Sequence, residues 1–199
     1  MPIIDKEKQF FRKKAFLELK NLQNKRERSK DIIKFLTQLP EFYRAKNISF
    51  YINTKNEVYS KDLISKILSA KNKDQISRQS IYLPFLDKTT LSLCQIKDLL
   101  EIERNRLNVM EPKRKFQKER SRLSSIKEMD IAIIPGLLFD ENGYRLGRGK
   151  GLFDMLLQNF KKPIIALAFD CQIIEKLPRT TYDIPMTKII TEKRILELL

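Results

Sequence analysis

The fold is decided by the stretch IAIIPGLLFDENGYRLGRGKGLFDMLL, residues 131–157. Its uninterrupted apolar run, Ile131–Ile134, predicts a strand that is buried on both faces and is therefore central in its sheet. The Asn-Gly pair at 142–143 predicts a turn. Residues 145–151, RLGRGKG, then bring together three of the chain's five glycines and three cations, and the apolar spacing behind them predicts a helix.

This glycine-rich basic loop, residues 145–151, is suited to holding an anion. Glycines let backbone N–H groups come close to a ligand, and the unpaired N–H groups at the start of a helix favour phosphate. The loop is neither a P-loop, because Gly151 stands where Ser or Thr should follow Lys150, nor a dinucleotide fingerprint, because Leu152 occupies the place of the third glycine. From local composition, a phosphate site and a solvated glycine-rich connection both stay open.

Composition narrows the chemistry. The 199-residue chain contains no histidine, which excludes His-dependent triads and ordinary zinc hydrolase sites, so its chemistry must use carboxylates, cations and backbone. Cys94 and Cys171 lack metal-ligand spacing, and we expect both to be reduced core residues, as suits the cytoplasm. With no long apolar run and no signal-peptide pattern, we expect residues 1–199 to form one soluble domain, a monomer by default, without a membrane partner.

The net charge of +15 is concentrated in two segments. Residues 1–30 carry ten Lys and Arg against four acids, and residues 113–128 carry seven against two. We expect the second segment to be a mobile loop. Because no helix-turn-helix, zinc finger or RNA-binding signature is present, sequence-specific nucleic-acid binding is not indicated. A basic protein that binds RNA backbones through these two segments remains an alternative.

Alternating helix-like and strand-like patterns predict an α/β fold. We expect a doubly wound, mostly parallel sheet with helices on both faces, a Rossmann-like three-layer α/β/α arrangement. The predicted strands are residues 47–53, 81–85, 91–96, 131–134, 163–169 and 188–191. The predicted helices are residues 3–22 and 29–38, one capped by Ser60, a short one near 99–103, one after the glycine loop and a short terminal one, with a turn at 110–112.

A set of residues in one order and spacing spans nearly the whole chain. It comprises Lys8 and Arg12 on one face of the first predicted helix, Glu57 beyond the first strand, Glu111-Pro112, Pro135-Gly136, Phe139-Asp140, Gly143, Arg145–Gly151, Asp154, Ala166–Phe169 and Asp183. This set resembles the 5-formyltetrahydrofolate cyclo-ligase family, also called 5,10-methenyltetrahydrofolate synthetases. The central run is highly specific to that family, whereas the N-terminal pairs are not.

The resemblance implies a reaction that uses ATP and Mg²⁺. In it, the formyl oxygen of 5-formyltetrahydrofolate attacks the γ-phosphate, N10 closes the ring on the phosphorylated imidate, and 5,10-methenyltetrahydrofolate, ADP and phosphate result. Phosphoryl transfer depends mainly on positioning the reactants and neutralising phosphate charge, so a chain without histidine can catalyse it.

The resemblance also implies residue roles. The ATP-binding residues would be Lys8, Arg12, Arg145, Gly147, Arg148, Gly149, Lys150, Gly151, Leu152 and Phe153. Arg148 and Lys150 would neutralise charge during transfer, and Asp154 and Asp183 would hold Mg²⁺. Glu57 would accept hydrogen bonds from the folate, and Ile52 and Leu107 would line its apolar pocket.

Two departures from the family pattern concern the folate pocket. Leu152-Phe153 stands where the family usually has a tyrosine pair, and Leu107 lies where some members have an aromatic residue. These departures keep open a second alternative, a folate- or nucleotide-binding homologue that has lost turnover. Without the resemblance, each carboxylate of the site has a simpler explanation. Glu57 would be an exposed acid at a strand end, Asp154 an acid in the first turn of a helix, and Asp183 a turn residue.

Overall fold

The computed structural model describes residues 3–70, 78–106 and 108–198. Its helices are α1 Ile3–Asn21, α2 Lys25–Gln38, α3 Pro40–Arg44, α4 Lys61–Ser69, α5 Arg114–Gln117 and α6 Leu152–Leu157. Its strands are β1 Asn47–Ser49, β2 Ser80–Asp87, β3 Thr90–Ile96, β4 Ile102–Arg104, β5 Met110–Pro112, β6 Leu123–Ser124, β7 Ile131–Ile134, β8 Leu138–Asp140, β9 Arg145–Leu146, β10 Ile164–Leu167, β11 Ile173–Ile174, β12 Lys188–Ile190 and β13 Ile195–Glu197.

An eight-stranded sheet forms the centre, in the order β13-β12-β10-β7-β1-β2-β3-β6. The five strands from β12 to β2 are mutually parallel, and β13, β3 and β6 add antiparallel edges. All four residues of β7 are buried, as the apolar run predicts. The predicted mostly parallel α/β fold is therefore confirmed.

The two faces of the sheet bury different side chains because successive residues of a strand point in opposite directions. Ile131 and Ile133 belong to one core with residues of α1 to α4. Ala132 and Ile134 belong to the other, with Leu157 of α6. Helices thus cover both faces: within the described residues, α1 to α4 pack on one side and α6 packs on the other.

A small second sheet carries the glycine-rich loop. The hairpin β8–β9 pairs with β11, and its Leu138 and Leu146 pack with Ala15 of α1 and with Leu177. This packing holds α1 along the hairpin and so brings the N-terminal helix to the loop that follows β9. In the described ranges, no helix is both long and apolar enough to cross a bilayer.

Three predictions of secondary structure are wrong, one near the chain's end and two in its middle. Instead of a terminal helix, β13 pairs antiparallel with β12. Residues 110–112 form β5, paired with β4, instead of a turn, and the predicted helix near 99–103 is a single 3-10 turn, Leu99–Glu101, that leads into β4. In both places the pairing partner, which local pattern does not reveal, decides the conformation.

The basic segment 113–128 is folded, which corrects the prediction of a mobile loop. It contains α5, two 3-10 turns and β6. Arg122 joins it to the rest of the chain through an ion pair with Glu101 at 2.6 Å. Within the segment, Arg122 also pairs with Glu119 at 2.7 Å, and its guanidinium lies 4.3 Å from the Phe116 ring centroid.

Two single-residue predictions are also corrected. Ser60 precedes α4, but its hydroxyl donates to the Tyr51 carbonyl at 2.6 Å, and it is Asn53 Oδ1 that accepts from the first amides of the helix, those of Ser60 and Lys61. Cys94 is buried, whereas Cys171 is exposed, so only the first is a core residue. Both thiols are free.

Candidate active site

A cavity of about 780 Å³ opens where β1 and β7 end. Tyr51 and Ile52 follow β1, and Pro135 and Gly136 follow β7, so the cavity lies at the carboxyl ends of parallel strands, the usual ligand position in such sheets. The predicted site residues that line it are Lys8, Arg12, Ile52, Glu57, Arg145, Gly147, Arg148, Gly149, Lys150, Gly151, Leu152, Phe153, Asp154 and Asp183. Leu107 lies outside the described residues.

The loop between β9 and α6 needs its glycines. Gly149 and Gly151 have φ angles of 105° and 62°, which residues with a Cβ rarely adopt. A Cβ at Gly147 would lie 2.9 Å from Nη1 of Arg145. The side chain of Arg12 braces the loop from α1, since its Nε donates to the Gly147 carbonyl at 3.0 Å.

Lys8 and Asp183 join the first helix to the segment before β12. Lys8 Nζ donates to Asp183 Oδ2 at 2.7 Å, and the same oxygen accepts from the backbone N–H of Thr180 at 2.6 Å and from its hydroxyl at 3.1 Å. Burial raises the pKa of Asp183, but the bonds from Lys8 and Thr180 outweigh it, so the pKa lies below its ordinary value. Asp183 is therefore ionised at neutral pH.

Arg145 and Asp154 form the most buried ion pair of the site. Arg145 Nη2 lies 2.9 Å from Asp154 Oδ2, and only 4% of the arginine side chain is exposed. Burial lowers the pKa of Arg145, and the nearby carboxylates of Asp154 and Asp183 oppose that effect. Within the described chain, Arg145 Nε is buried without a hydrogen-bond partner, and the guanidinium lies 5.4 Å from the Phe153 ring centroid. Such an unmet donor invites an oxygen ligand.

The two aspartates also form a donor set that fits Mg²⁺. They are close together, because the N–H of Ile184, next to Asp183, donates to Asp154 Oδ1 at 3.3 Å. The hydrogen bonds that Asp183 accepts within the described residues all end on Oδ2, which leaves Oδ1 for a cation. The same residues contain no cluster of three or more His, Cys, Asp or Glu that would form a metal cage. Two carboxylates completed by phosphate oxygens and water are a typical Mg²⁺ arrangement.

A third ion pair links the glycine loop to the segment after β1. Arg148 Nη2 lies 3.1 Å from Glu57 Oε1 and 3.0 Å from the Thr54 hydroxyl, while Glu57 Oε2 accepts from the Thr54 backbone N–H at 2.7 Å. Arg148 is 55% exposed and Glu57 14% exposed, so the cation is the more exposed partner. The residue expected to contact phosphate and the one expected to contact folate thus touch each other.

Part of the cavity lining is apolar. Its walls include Ile52, Phe85, Leu86, Leu91 and Met110. Tyr51 also lines it, and burial and then the Glu57 carboxylate raise the pKa of its phenol well above the ordinary value. A flat organic ring could bind here with its polar edge toward the charged part.

Sequence reasoning missed several lining residues. Thr54 and Thr180 each support a predicted site acid, and Tyr182 lies exposed at the edge of the cavity. The spacing of Thr180, three residues before Asp183, is a signal for a side-chain turn that could have pointed to it. Glu111 belongs to the residue set that resembles the family, but the resemblance implies no role for it.

Fold and site together define an α/β protein with a cavity that is lined by both cationic and apolar side chains. Comparison with known proteins gives the class more closely. The profile of the 5-formyltetrahydrofolate cyclo-ligase family matches residues 5–192. The 5-formyltetrahydrofolate cyclo-ligase of Escherichia coli K12 is 29% identical over 164 residues, covering 79% of this chain and 84% of the relative. That of Haemophilus influenzae is 31% identical over 159 residues, covering 76% and 79%.

Solved structures agree with the sequence comparisons. A 5,10-methenyltetrahydrofolate synthetase from Aquifex aeolicus superposes with a TM-score of 0.81 at 30% identity, covering 96% of this chain and 92% of that one. A 5,10-methenyltetrahydrofolate synthetase from Mycoplasma pneumoniae, 20% identical, shares the fold with a TM-score of 0.70, covering 94% and 99%. The chain therefore belongs to the 5-formyltetrahydrofolate cyclo-ligase family of enzymes.

Proposed function

We propose that this chain converts 5-formyltetrahydrofolate to 5,10-methenyltetrahydrofolate with ATP and Mg²⁺, releasing ADP and phosphate. The observation that supports this most strongly is a single cavity that is lined both by the cationic glycine loop and by apolar side chains, with the Arg148–Glu57 pair joining the loop to the segment after β1. Two reactants, one highly charged and one largely aromatic, could be held there in contact.

The cationic end would hold the triphosphate. Lys8, Arg12 and Arg145 line it from α1 and β9, and the glycine loop supplies backbone N–H groups. A Cβ at Gly147 would crowd Arg145, and one at Gly149 would come close to Arg12. The unmet Nε donor of buried Arg145 is suited to a phosphate oxygen. Leu152 and Phe153 complete the loop side of this pocket.

Asp154 and Asp183 would hold Mg²⁺ against the phosphates. Each is already paired with a cation, so a divalent ion would replace or share existing partners. When bound, the ion supplies neutralisation of phosphate charge.

The reaction is balanced without a histidine. The formyl oxygen forms a bond to the γ-phosphorus while the bond to the ADP oxygen breaks. N10 then attacks the phosphorylated formyl carbon, its proton passes to the leaving phosphate, and that phosphate carries away the original formyl oxygen. Arg148 and Lys150 lie on the loop where they can neutralise the charge that shifts during transfer.

The folate would lie toward the apolar wall, with Ile52 against its ring and Glu57 accepting hydrogen bonds. Leu107 would extend this wall. The proposal includes a monomeric cytoplasmic enzyme whose partners are small molecules, not nucleic acid or membrane. The free thiols of Cys94 and Cys171 are consistent with a reducing compartment.

The test is the near-ultraviolet absorbance of the methenyl product in a mixture of protein, 5-formyltetrahydrofolate, ATP and Mg²⁺. Absorbance should rise only when all three small molecules are present. No rise, with folate or ATP binding still measurable, would favour the inactive homologue. Binding of neither ligand, with salt-sensitive retention on RNA, would favour the basic RNA-associated protein.

A further inference from the structure

Glu111 lines the cavity without a role in the scheme above. It lies on β5, which pairs with β4 and packs against β2. Its carboxylate is half-buried and is held by Asn105, whose Nδ2 donates to Glu111 Oε2 at 2.9 Å. Asn105 is itself fixed, because its Oδ1 accepts from the Val109 N–H at 3.1 Å. The carboxylate is therefore held in a defined orientation at the cavity wall.

The charge of Glu111 is balanced differently from that of the other site carboxylates. Glu57, Asp154 and Asp183 each contact a cation. The hydrogen-bond partner of Glu111 is instead a neutral amide, that of Asn105. No ion pair involving Glu111 occurs within the described residues. Its negative charge in the cavity is thus left for a ligand to satisfy.

The residues around Glu111 indicate which part of a ligand could balance its negative charge. Phe85 and Leu86 of β2, Leu91 of β3 and Met110 beside Glu111 are apolar and line the same cavity. A ring packed against them would exclude water from the carboxylate, and a carboxylate that loses water must receive hydrogen bonds in exchange. Such a ring must therefore present donors at its edge.

We infer that Glu111 is a specificity-determining residue that binds the amino edge of the folate's pyrimidine ring. This edge offers two parallel donors, the 2-amino group and the adjacent ring N–H, which match the two oxygens of a carboxylate. Oε2 can accept one of them while keeping its bond to Asn105, because each oxygen has more than one acceptor position. The inference rests on the proposed function and orients the substrate with its reacting end toward Glu57 and Arg148.

The experiment compares two probes and two variants. The probes are 5-formyltetrahydrofolate and its analogue in which the 2-amino group is replaced by methyl. The variants are Glu111→Gln and the control Glu103→Gln, which removes a carboxylate at the directly paired position of β4, exposed and outside the cavity lining. Binding of each probe is measured by calorimetry, and KM for ATP and kcat are measured by turnover.

Glu111→Gln should raise the dissociation constant of 5-formyltetrahydrofolate about 10- to 100-fold and leave KM for ATP unchanged, because a charged hydrogen-bonding pair is lost at the folate end alone. The wild type should prefer the amino probe to the methyl probe by at least about 10-fold, a preference that Glu111→Gln abolishes and Glu103→Gln keeps. A merely structural role would not move this preference.

Other results overturn the inference. If the wild type turns over but binds both probes equally, or if Glu111→Gln keeps the preference, Glu111 does not contact the amino edge, although the proposed function stands. If Glu111→Gln does not fold, equal binding of the two probes by the wild type still overturns the inference. If the wild type neither binds nor converts 5-formyltetrahydrofolate, the proposed function fails together with the inference.

Discussion

At the scale of single residues, the site consists of acid–base pairs that ligands would have to rearrange. Lys8–Asp183, Arg145–Asp154 and Arg148–Glu57 all lie in one cavity. The three differ in exposure, from the nearly inaccessible Arg145 to the half-exposed Arg148. We expect Arg145 to act as a fixed anchor and Arg148 to be the cation that moves.

Arg148→Ala should remove most turnover and leave the fold intact. The cation is exposed, so its loss costs little stability, whereas loss of one charge-stabilising group in phosphoryl transfer costs about 10²- to 10³-fold in kcat. Single-turnover kinetics and thermal unfolding measure the two effects. A rate near that of the wild type would contradict the assigned role.

Glu57→Gln should strengthen ATP binding in the absence of folate. The substitution weakens the ion pair that occupies Arg148, and an exposed pair of this kind is worth up to about 1 kcal/mol, which is a gain of up to about 5-fold. Titration calorimetry with ATP measures it, and Glu103→Gln, outside the cavity lining, serves as the control for loss of a negative charge. Unchanged or weaker ATP binding in Glu57→Gln would show that the pair does not restrain Arg148.

At the scale of elements, the hairpin β8–β9 depends on one buried carboxylate. Asp140 is fully buried and accepts backbone N–H groups from Asn142 at 3.0 Å, Tyr144 at 2.9 Å and Leu177 at 3.0 Å. It thereby ties the turn of the hairpin to the connection before Asp183. The sheet that carries the glycine loop is held in place by this residue.

Asp140→Ala should lower the free energy of unfolding by about 3 kcal/mol or more, because three amides lose a charged acceptor. Urea unfolding measures the loss. The matched control is Asp98→Ala, in which an exposed acid accepts one amide, that of Leu100, and where we expect a loss of no more than about 1 kcal/mol. Equal losses in the two variants would show that Asp140 does not organise the hairpin.

The contact between α1 and the segment before β12 should respond to acid. The pKa of Asp183 is lower in the folded chain than its ordinary value of 3.8, so the Lys8–Asp183 pair stabilises the fold fully above that pH and loses its effect as pH falls further through the folded pKa. Urea unfolding of the wild type and Asp183→Asn should therefore differ at neutral pH and converge in stronger acid. A difference that persists at low pH would contradict this origin.

At the scale of the whole molecule, local pattern predicted the centre and not the edges. Ile131–Ile134 has no polar alternation, so its central place in the sheet could be predicted. The strand β13 could not be predicted, because a three-residue strand exists only through its pairing with β12. The folded state of the basic segment was equally hidden, since Arg122 pairs with Glu101, 21 residues away.

The site was predictable for a different reason. Residues scattered from Lys8 to Asp183 were assigned through the family resemblance, and the structure brings the described ones into one cavity, while their roles stay predictions. Supporting residues such as Thr54 and Thr180 act through contacts that only the folded chain creates. The same holds for the orientation of Glu111 by Asn105.

The central claim is that one cavity lets the formyl oxygen attack the γ-phosphate of ATP. The most direct test follows 5-formyltetrahydrofolate whose formyl oxygen is heavy-isotope labelled through a single turnover with ATP and Mg²⁺, with mass spectrometry of the phosphate released. We predict that the label appears in inorganic phosphate in an amount equal to the methenyl product. Unlabelled phosphate, with the label released to water, would contradict the account.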